Sequence, residues 1–475
     1  MSGPAPSTTR PDVTDPAQGT LPFAPVLGQS LGAAMPASMA LTIPFTLTAV
    51  AGRGAWLCVV IAGALVWLVN RALFQFSSRV ASAGSLSSYV ALGLGPVGGL
   101  IAAVSLVIGY GMLASWCIVR SAITATELLD PSRAPGSVGV RELLVALVFT
   151  AACGAALALS TRVSLLVTLA AASTALLAVL ALVVTSVARA GVPAAMTLTL
   201  EGAEPAGIAR GVVLAVACLV GFSAATSLSA EAARPHASVP RATSVALAVV
   251  VATLFVSALF GPAPVDGVGS MLQWFPPGAN HDASVAIVRA VRLLSYVGCV
   301  LAVWAALARL TLSLARDGAL PARLGATHAR RGTPTAAVGA ATAMVLGPSA
   351  VAFLVAPDER TVVTVLGESS TAALLIAFTL TCLAATPFLQ RRGALRRRTA
   401  VLHAAGATAM LAVLLAMTVQ PWGGEGHTTM ATTLACAAGG AVWAASLDRR
   451  RPWALTRLGS HDDRDALTAD EVTDR

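Results

Sequence analysis

Gly28-Gln29-Ser30-Leu31-Gly32-Ala33-Ala34-Met35-Pro36 opens the first long apolar run of the chain, and it is not a good helix. Two glycines and a proline in nine residues interrupt an otherwise helix-length segment. The sixth long run is interrupted in the same way, with Gly211 and then Gly221-Phe222-Ser223-Ala224-Ala225-Thr226. Runs one and six are corresponding places in two five-run halves, and interrupted segments at matching places of two halves point to a binding site at the membrane midplane. Backbone N–H groups freed by a break attract a carboxylate, and freed carbonyls attract an ammonium group or a sodium ion. The other reading is packing: Gly28 and Gly32 form a GxxxG pair that lets a neighbouring helix approach closely. Spacing alone leaves both open.

Working outward, the whole chain is built of such runs. Of 475 residues, 56% are hydrophobic and 11% charged, against roughly 25% charged in a soluble domain. A soluble protein of this length could not cover its surface with so little charge, which excludes a cytosolic enzyme, a disordered scaffold and a secreted disulfide scaffold. A bilayer-crossing helix needs about 20 apolar residues. Twelve such spans are predicted: 26–50, 54–76, 97–120, 142–160, 163–187, 211–230, 241–260, 286–314, 335–355, 361–388, 400–420 and 429–447. The runs do not alternate as barrel strands do, so helices are the closed structure that lipid allows. Residues 1–25 and 452–475 are expected to be disordered cytoplasmic tails, and the first lacks the pattern of a secretory signal.

The net charge of +9 does not mark a nucleic-acid binder, because the basic residues sit in short clusters between apolar runs. All 31 are arginine. With both termini placed inside, the inner loops carry thirteen arginines and the outer loops six. That bias predicts cytoplasmic termini, an inner 391–398 loop and an outer 261–285 loop. The seven cysteines lie inside apolar runs and read as small buried hydrophobes. Gly93-Leu94-Gly95-Pro96-Val97-Gly98 is a literal GxGxxG with no strand before it, better explained by Pro96 opening a helix. Gly221-Phe222-Ser223-Ala224-Ala225 falls one glycine short of a nucleophile elbow. No two of the six histidines stand at metal-ligand spacing. No enzyme and no resident cofactor is expected.

Four stretches, in order, carry a family resemblance. Ala315-Arg316-Asp317-Gly318-Ala319-Leu320-Pro321 is followed by Thr333-Pro334. Glu231-Ala232-Ala233-Arg234-Pro235 is followed by Val239-Pro240-Arg241-Ala242. Ser82-Ala83-Gly84-Ser85 is followed by Leu94-Gly95-Pro96. Gln29-Ser30 through Pro36 stands near the start. Together they resemble the amino acid–polyamine–organocation (APC) superfamily of permeases over roughly residues 25 to 447. The resemblance implies a leucine-transporter-type fold: an all-α polytopic membrane protein in which spans 1–5 and 6–10 form an inverted repeat and spans 11 and 12 are appended. It implies a secondary active transporter of the plasma membrane for an amino acid or related small amine, working by alternating access.

It also implies a site. In the family the first helix unwinds at a backbone cradle for the substrate carboxylate, which matches Gly32, Ala33 and Ala34 here, with Ser30 in the same broken segment. The unwound sixth helix matches Gly221, Phe222, Ser223 and Ala224, whose carbonyls take the amino group while Phe222 covers it. Many relatives carry an acid where Ser223 stands, so a dicationic polyamine is disfavoured. Arg316, Asp317, Gly318, Pro321, Glu231 and Pro235 are loop residues expected to hold structure. Some relatives use a lysine of the fifth helix in place of sodium, and this chain has none; Thr168, Ser173 and Thr174 are the polar residues there. Coupling to H⁺ or Na⁺ is open. Glu368 could carry a proton within the tenth span, unless that helix begins after it and leaves it at the outer mouth. Arg71, Arg292 and Arg309 are expected to snorkel to the headgroups. A same-fold permease for another substrate, and a transport-inactive sensor or partner subunit, are the rival readings.

Overall fold

The computed structural model describes residues 19–81, 84–130, 139–190, 198, 200, 202–259, 280–327, 333–355, 358–419 and 426–459. Among these, eleven apolar segments are long enough to cross a bilayer, and the first, Phe23–Ser77, folds into two spans at the Gly52–Gly54 turn. Twelve spans result. Span 1 is Phe23–Ala34 and Pro36–Ala51; span 2, Ala55–Ser77; span 3, Pro96–Leu129; span 4, Val140–Leu159; span 5, Thr161–Ala190; span 6, Pro205–Ala217 and Val220–Leu228. Span 7 is Pro235–Leu259; span 8, His281–Arg316; span 9, Thr335–Val355; span 10, Glu359–Arg391; span 11, Arg397–Val419; span 12, His427–Arg450. A short helix, Leu86–Leu94, precedes span 3. There Gly95, at φ +86°, ends one helix and Pro96 opens the next, so the GxGxxG pattern is a helix stop and start.

Several helices overrun the apolar runs that announce them. Span 3 continues past Arg120 to Leu129, and span 10 begins at Glu359. The overrunning ends hold one another: Arg120 pairs with Glu359, and the Arg289 guanidinium lies 3.1 Å from the Glu127 carboxylate, joining the same ends of spans 3, 8 and 10. Asp358 caps span 10 by accepting from the Thr361 N–H at 2.7 Å, a bond that holds its carboxyl below the usual range. Glu368 therefore sits well inside span 10 and not before its start. Spans 1, 2, 6 and 7 pack on one another, as do spans 3, 4, 8 and 9. Span 5 lies against spans 1 and 8, and span 10 joins span 3 to span 11.

The segments read as tails are partly built into the fold. Leu21 pairs with Ala232, and the first helix begins at Phe23. After span 12, Pro452–Arg457 is helical and Trp453 packs on Gly318, whose φ of +85° suits a glycine. The rest of both tails, residues 1–18 and 460–475, and most of the 261–285 loop lie outside the described residues.

Candidate functional site

The first span breaks at one residue. Met35 adopts the left-handed region, φ +39°, and its N–H closes the preceding half-helix on Leu31 and Gly32 carbonyls. Pro36 then supplies no N–H at the first position of the second half, Pro36–Ala51. The helix runs intact through Gly32, Ala33 and Ala34, so the break falls just after the three positions where it was expected. The first-turn donors of this second half that no helical carbonyl takes up are the N–H groups of Ala37 and Ser38, and the latter donates to Ser295 Oγ at 3.3 Å. The carbonyl of Ala33 accepts from the Cys299 thiol at 3.4 Å.

Both first-span glycines serve close packing. A Cβ on Gly32 would stand 2.5 Å from Thr168 Cγ2 and 3.0 Å from the Gly298 carbonyl, and one on Gly28 would meet Leu169. The GxxxG face therefore lies on span 5. Thr168 gives its hydroxyl to the Ser164 carbonyl at 2.9 Å and its methyl to Gly32.

The sixth span changes character at Cys218. Its first half ends at Ala217, and Val220–Leu228 continues as a tighter 3₁₀ helix. The two irregular segments touch. A Cβ on Gly221 would fall within 2.6 Å of the Ala34 nitrogen and onto the Ala33 carbonyl. Ser30 donates to the Phe222 carbonyl at 2.6 Å and accepts from the Ala225 N–H at 3.0 Å. The Ser223 and Ala224 carbonyls accept from the hydroxyls of Thr226 and Ser227. Ser30, Phe222 and Ser223 are fully buried, and the Phe222 ring packs on Phe378 of span 10, centroids 5.6 Å apart.

Buried polar groups gather at this junction. The Tyr110 hydroxyl, from span 3, meets those of Ser223 and Ser85, and all three side chains are buried. A hydroxyl cluster of this kind inside an apolar bundle supplies donors and acceptors that a polar ligand or water can share. Tyr110 escaped sequence reading. The available signal was the scarcity of tyrosine, three in the chain, all of them buried.

Below the junction lies a latch. Arg309 of span 8 grips Glu231 with two nitrogens, at 2.6 and 3.1 Å. The Glu231 carbonyl accepts from Thr20 and Leu21 N–H groups, and Ala233 returns a bond to Leu21. Glu231 thus ties the end of span 6 to span 8 through its carboxylate and to the start of span 1 through its backbone carbonyl. Beside it is a cavity of about 30 Å³ lined by Ser164, Leu165 and Leu312, room for about one water. Arg309 does not snorkel, because a buried carboxylate offers it a better partner than headgroups. Arg292 does not either: it is buried beside the Tyr296 hydroxyl at 3.3 Å. Arg71 alone of the three keeps the lipid-facing aspect, its guanidinium over the Trp67 and Phe74 rings.

Residues 26–420 match the family model described as amino acid permease. The chain belongs to the amino acid permease family. Among solved structures it is similar to Mhp1, a nucleobase-cation-symport-1 family transporter in a closed conformation with bromovinylhydantoin bound. The two share 14% identity and a TM-score of 0.54 over 95% of this chain and 99% of that one. At that identity the likeness carries the fold, a leucine-transporter-type bundle. No curated protein matches the chain.

In this permease the remaining expected residues fall in two places. Pro235 opens span 7, while Arg316 ends span 8 and Asp317 caps it, with its N–H on the Ser313 carbonyl at 2.9 Å. Gly318 and Pro321 shape the following turn, where Arg451 reaches the Gly318 carbonyl. Glu368 is buried and accepts from Thr428 of span 12. Thr428 belongs to one of the two helices that follow the tenth span. Among the described residues no group of three or more His, Cys, Asp or Glu is placed to hold a metal ion.

Proposed function

We propose that this permease is a secondary active transporter carrying an amino acid or related small amine by alternating access, with its substrate between the irregular parts of spans 1 and 6. The observation that carries the reading is the junction itself: two broken helices meet at Ser30 and Gly221, and the buried hydroxyls of Ser223 and Tyr110 meet beside them. The substrate carboxylate belongs at the Ala37–Ser38 end, next to Gly32, Ala33 and Ala34, where a half-helix begins and its first-turn N–H groups are not taken up within the helix. The amine belongs at Gly221, Phe222, Ser223 and Ala224, with Tyr110 opposite. No acidic side chain stands at Ser223, which suits a single amine better than a polyamine. The protein sits in the cell membrane with both termini in the cytoplasm, on the arginine bias of its loops.

Alternating access requires that one side open while the other stays shut. The Glu231–Arg309 latch shuts the side of the Phe23 end, and the Arg120–Glu359 pair joins spans 3 and 10 at the other. Purified protein screened for thermal stabilisation by the common amino acids and amines tests the reading. Hits then enter counterflow in proteoliposomes. Stabilisation by a zwitterion, with counterflow of the same compound, is the expected result. Stabilisation without counterflow would make the protein a sensor, and hits confined to compounds lacking an amine would overturn the substrate class.

A further inference from the structure

Arg71, Gln75 and Arg79 follow one another at intervals of four residues, so they share one face where span 2 runs out into the following loop. Across from them runs the link between spans 10 and 11, Gly393-Ala394-Leu395-Arg396, and Thr399. Together these residues line a cavity of about 470 Å³. No acidic residue lines it. The sequence around it is equally free of acids: there is no Asp or Glu from residue 16 to 126, nor from 369 to 424. Among the residues that line the cavity, the arginine charge has no counter-ion. Arg79 turns its guanidinium onto the Gln75 carbonyl and amide oxygen, at 2.8 and 2.9 Å, for want of a carboxylate. Burial and the nearby Arg392 both push its pKa down, the sign expected of cations held together without an anion.

An apolar surface adjoins the cavity at Arg71. Trp67 and Phe74, 47% and 37% exposed, flank Arg71 on the outward surface of span 2, and the Arg71 guanidinium lies 5.7 and 5.3 Å from their ring centroids. Arg71 stands eight residues deeper than Arg79, about 12 Å along a helix. The order inward along span 2 is thus half-buried Arg79, exposed Phe74, half-buried Arg71 and exposed Trp67, with exposed Arg396 across the mouth. A free inorganic anion would use the arginines and leave the aromatic flank idle. An amphiphile with a phosphate head and apolar tails would use both.

We propose that this cavity binds the phosphate headgroup of an anionic phospholipid, with Arg71, Arg79 and Arg396 as the phosphate ligands and Trp67 and Phe74 against the acyl chains. Basic pockets between helices at the membrane surface have the chemistry for this. Guanidinium groups match phosphate geometry with paired N–H bonds. Span 2 packs with the broken helices, and span 11 is appended outside the repeat, so a lipid here spans two parts of the fold. The site is independent of what the permease carries.

The test uses the purified full-length protein in detergent, with native mass spectrometry for retained lipid and melting temperature for stabilisation. Three probes are compared: phosphatidylglycerol, phosphatidylcholine and inorganic phosphate. Phosphatidylglycerol is expected to bind and raise the melting temperature, while phosphatidylcholine and inorganic phosphate at the same concentration do neither. Each arginine replaced by glutamine is expected to weaken phosphatidylglycerol binding about fivefold, the effect of one basic side chain near an anionic lipid surface. Arg396→Gln lies in an exposed loop and does not threaten folding, so it keeps the test decisive if Arg71→Gln does not fold. Arg360→Gln, at the far end of span 10, should change nothing. Unchanged phosphatidylglycerol binding in Arg396→Gln and in Arg79→Gln overturns the proposal. So does stabilisation by inorganic phosphate equal to that by phosphatidylglycerol, which would make the cavity a free-anion site.

Discussion

Replacing Glu231 by glutamine removes the charge that faces Arg309 while keeping the shape of the side chain. The two side chains are 8% and 15% exposed, so the pair is neither a surface bridge nor a fully dry one. Removing one member of a buried pair costs about 3–5 kcal/mol, and an exposed pair gives about 0–1 kcal/mol. A value near 2 kcal/mol is therefore expected here, which is roughly a thirtyfold change in an equilibrium. That cost falls on the closed state, because opening the latch side separates the two groups and returns Arg309 to water. The population with the latch open should rise by about that factor. Ser164 is 2% exposed and lines the small cavity beside the latch, so Ser164→Cys reports opening. The native cysteines are all buried, which keeps the background low. A membrane-impermeant maleimide applied to inside-out vesicles should label Ser164→Cys at least tenfold faster when Glu231→Gln is present. Adding Arg309→Gln removes the stranded charge and should give back part of that increase, so the two changes combine non-additively. Equal labelling rates with and without Glu231→Gln, in protein that is folded and inserted, would refute the latch.

Other residues make sharper demands than their burial suggests. Gly221→Ala should cut folded protein or transport severely, since overpacking costs about 1–3 kcal/mol and the methyl would land on the Ala33–Ala34 backbone; Gly339→Ala, with open space around it, is the neutral control. Ser223→Ala and Tyr110→Phe each remove one hydroxyl of a buried cluster and should cost the substrate-free protein only about 0.5–1.5 kcal/mol, while weakening substrate binding about tenfold at most; unchanged binding in both would remove these hydroxyls from the site. Glu368→Gln keeps an acceptor for Thr428 and should leave proton-driven uptake within about twofold of the parent; loss of driven uptake with intact counterflow would make Glu368 the coupling carboxylate. A cysteine placed at Arg396 should react in inside-out vesicles and not in intact cells, and the reverse pattern would invert the proposed topology.

The spans were legible because lipid imposes a length and a polarity that sequence records directly. The break in span 1 was legible for a local reason as well: a proline cannot close a helical bond, and glycines nearby lower the cost of irregularity. What local chemistry cannot record is which side of a break its neighbours will occupy. Gly32 and Gly221 look alike in sequence, yet Gly32 admits the side chain of Thr168 whereas Gly221 admits the backbone of span 1. The first is a packing contact between helices and the second is the junction. Helix ends were misjudged at Arg120, Glu127 and Glu359 because charge was taken as the edge of a span, when each of these charges has its partner on another helix. Arg309 was misread for the same reason.

Those misreadings share a cause that bears on mechanism. A charged side chain inside an apolar run is costly in isolation, and one sequence shows it in isolation. Arg309 is affordable only because Glu231 is brought to it by the loop after span 6, and that loop is held by the backbone of Thr20 and Leu21. The cost of the charge is then paid in the closed arrangement and falls due when the arrangement opens. A bundle held shut by apolar packing alone would open reluctantly and in no particular place. Holding it through one ion pair confines the separation to spans 1, 6 and 8, which carry the broken segments and their nearest neighbours. Residues placed to permit a charge in the membrane are, on the proposed mechanism, also the ones that gate the proposed site.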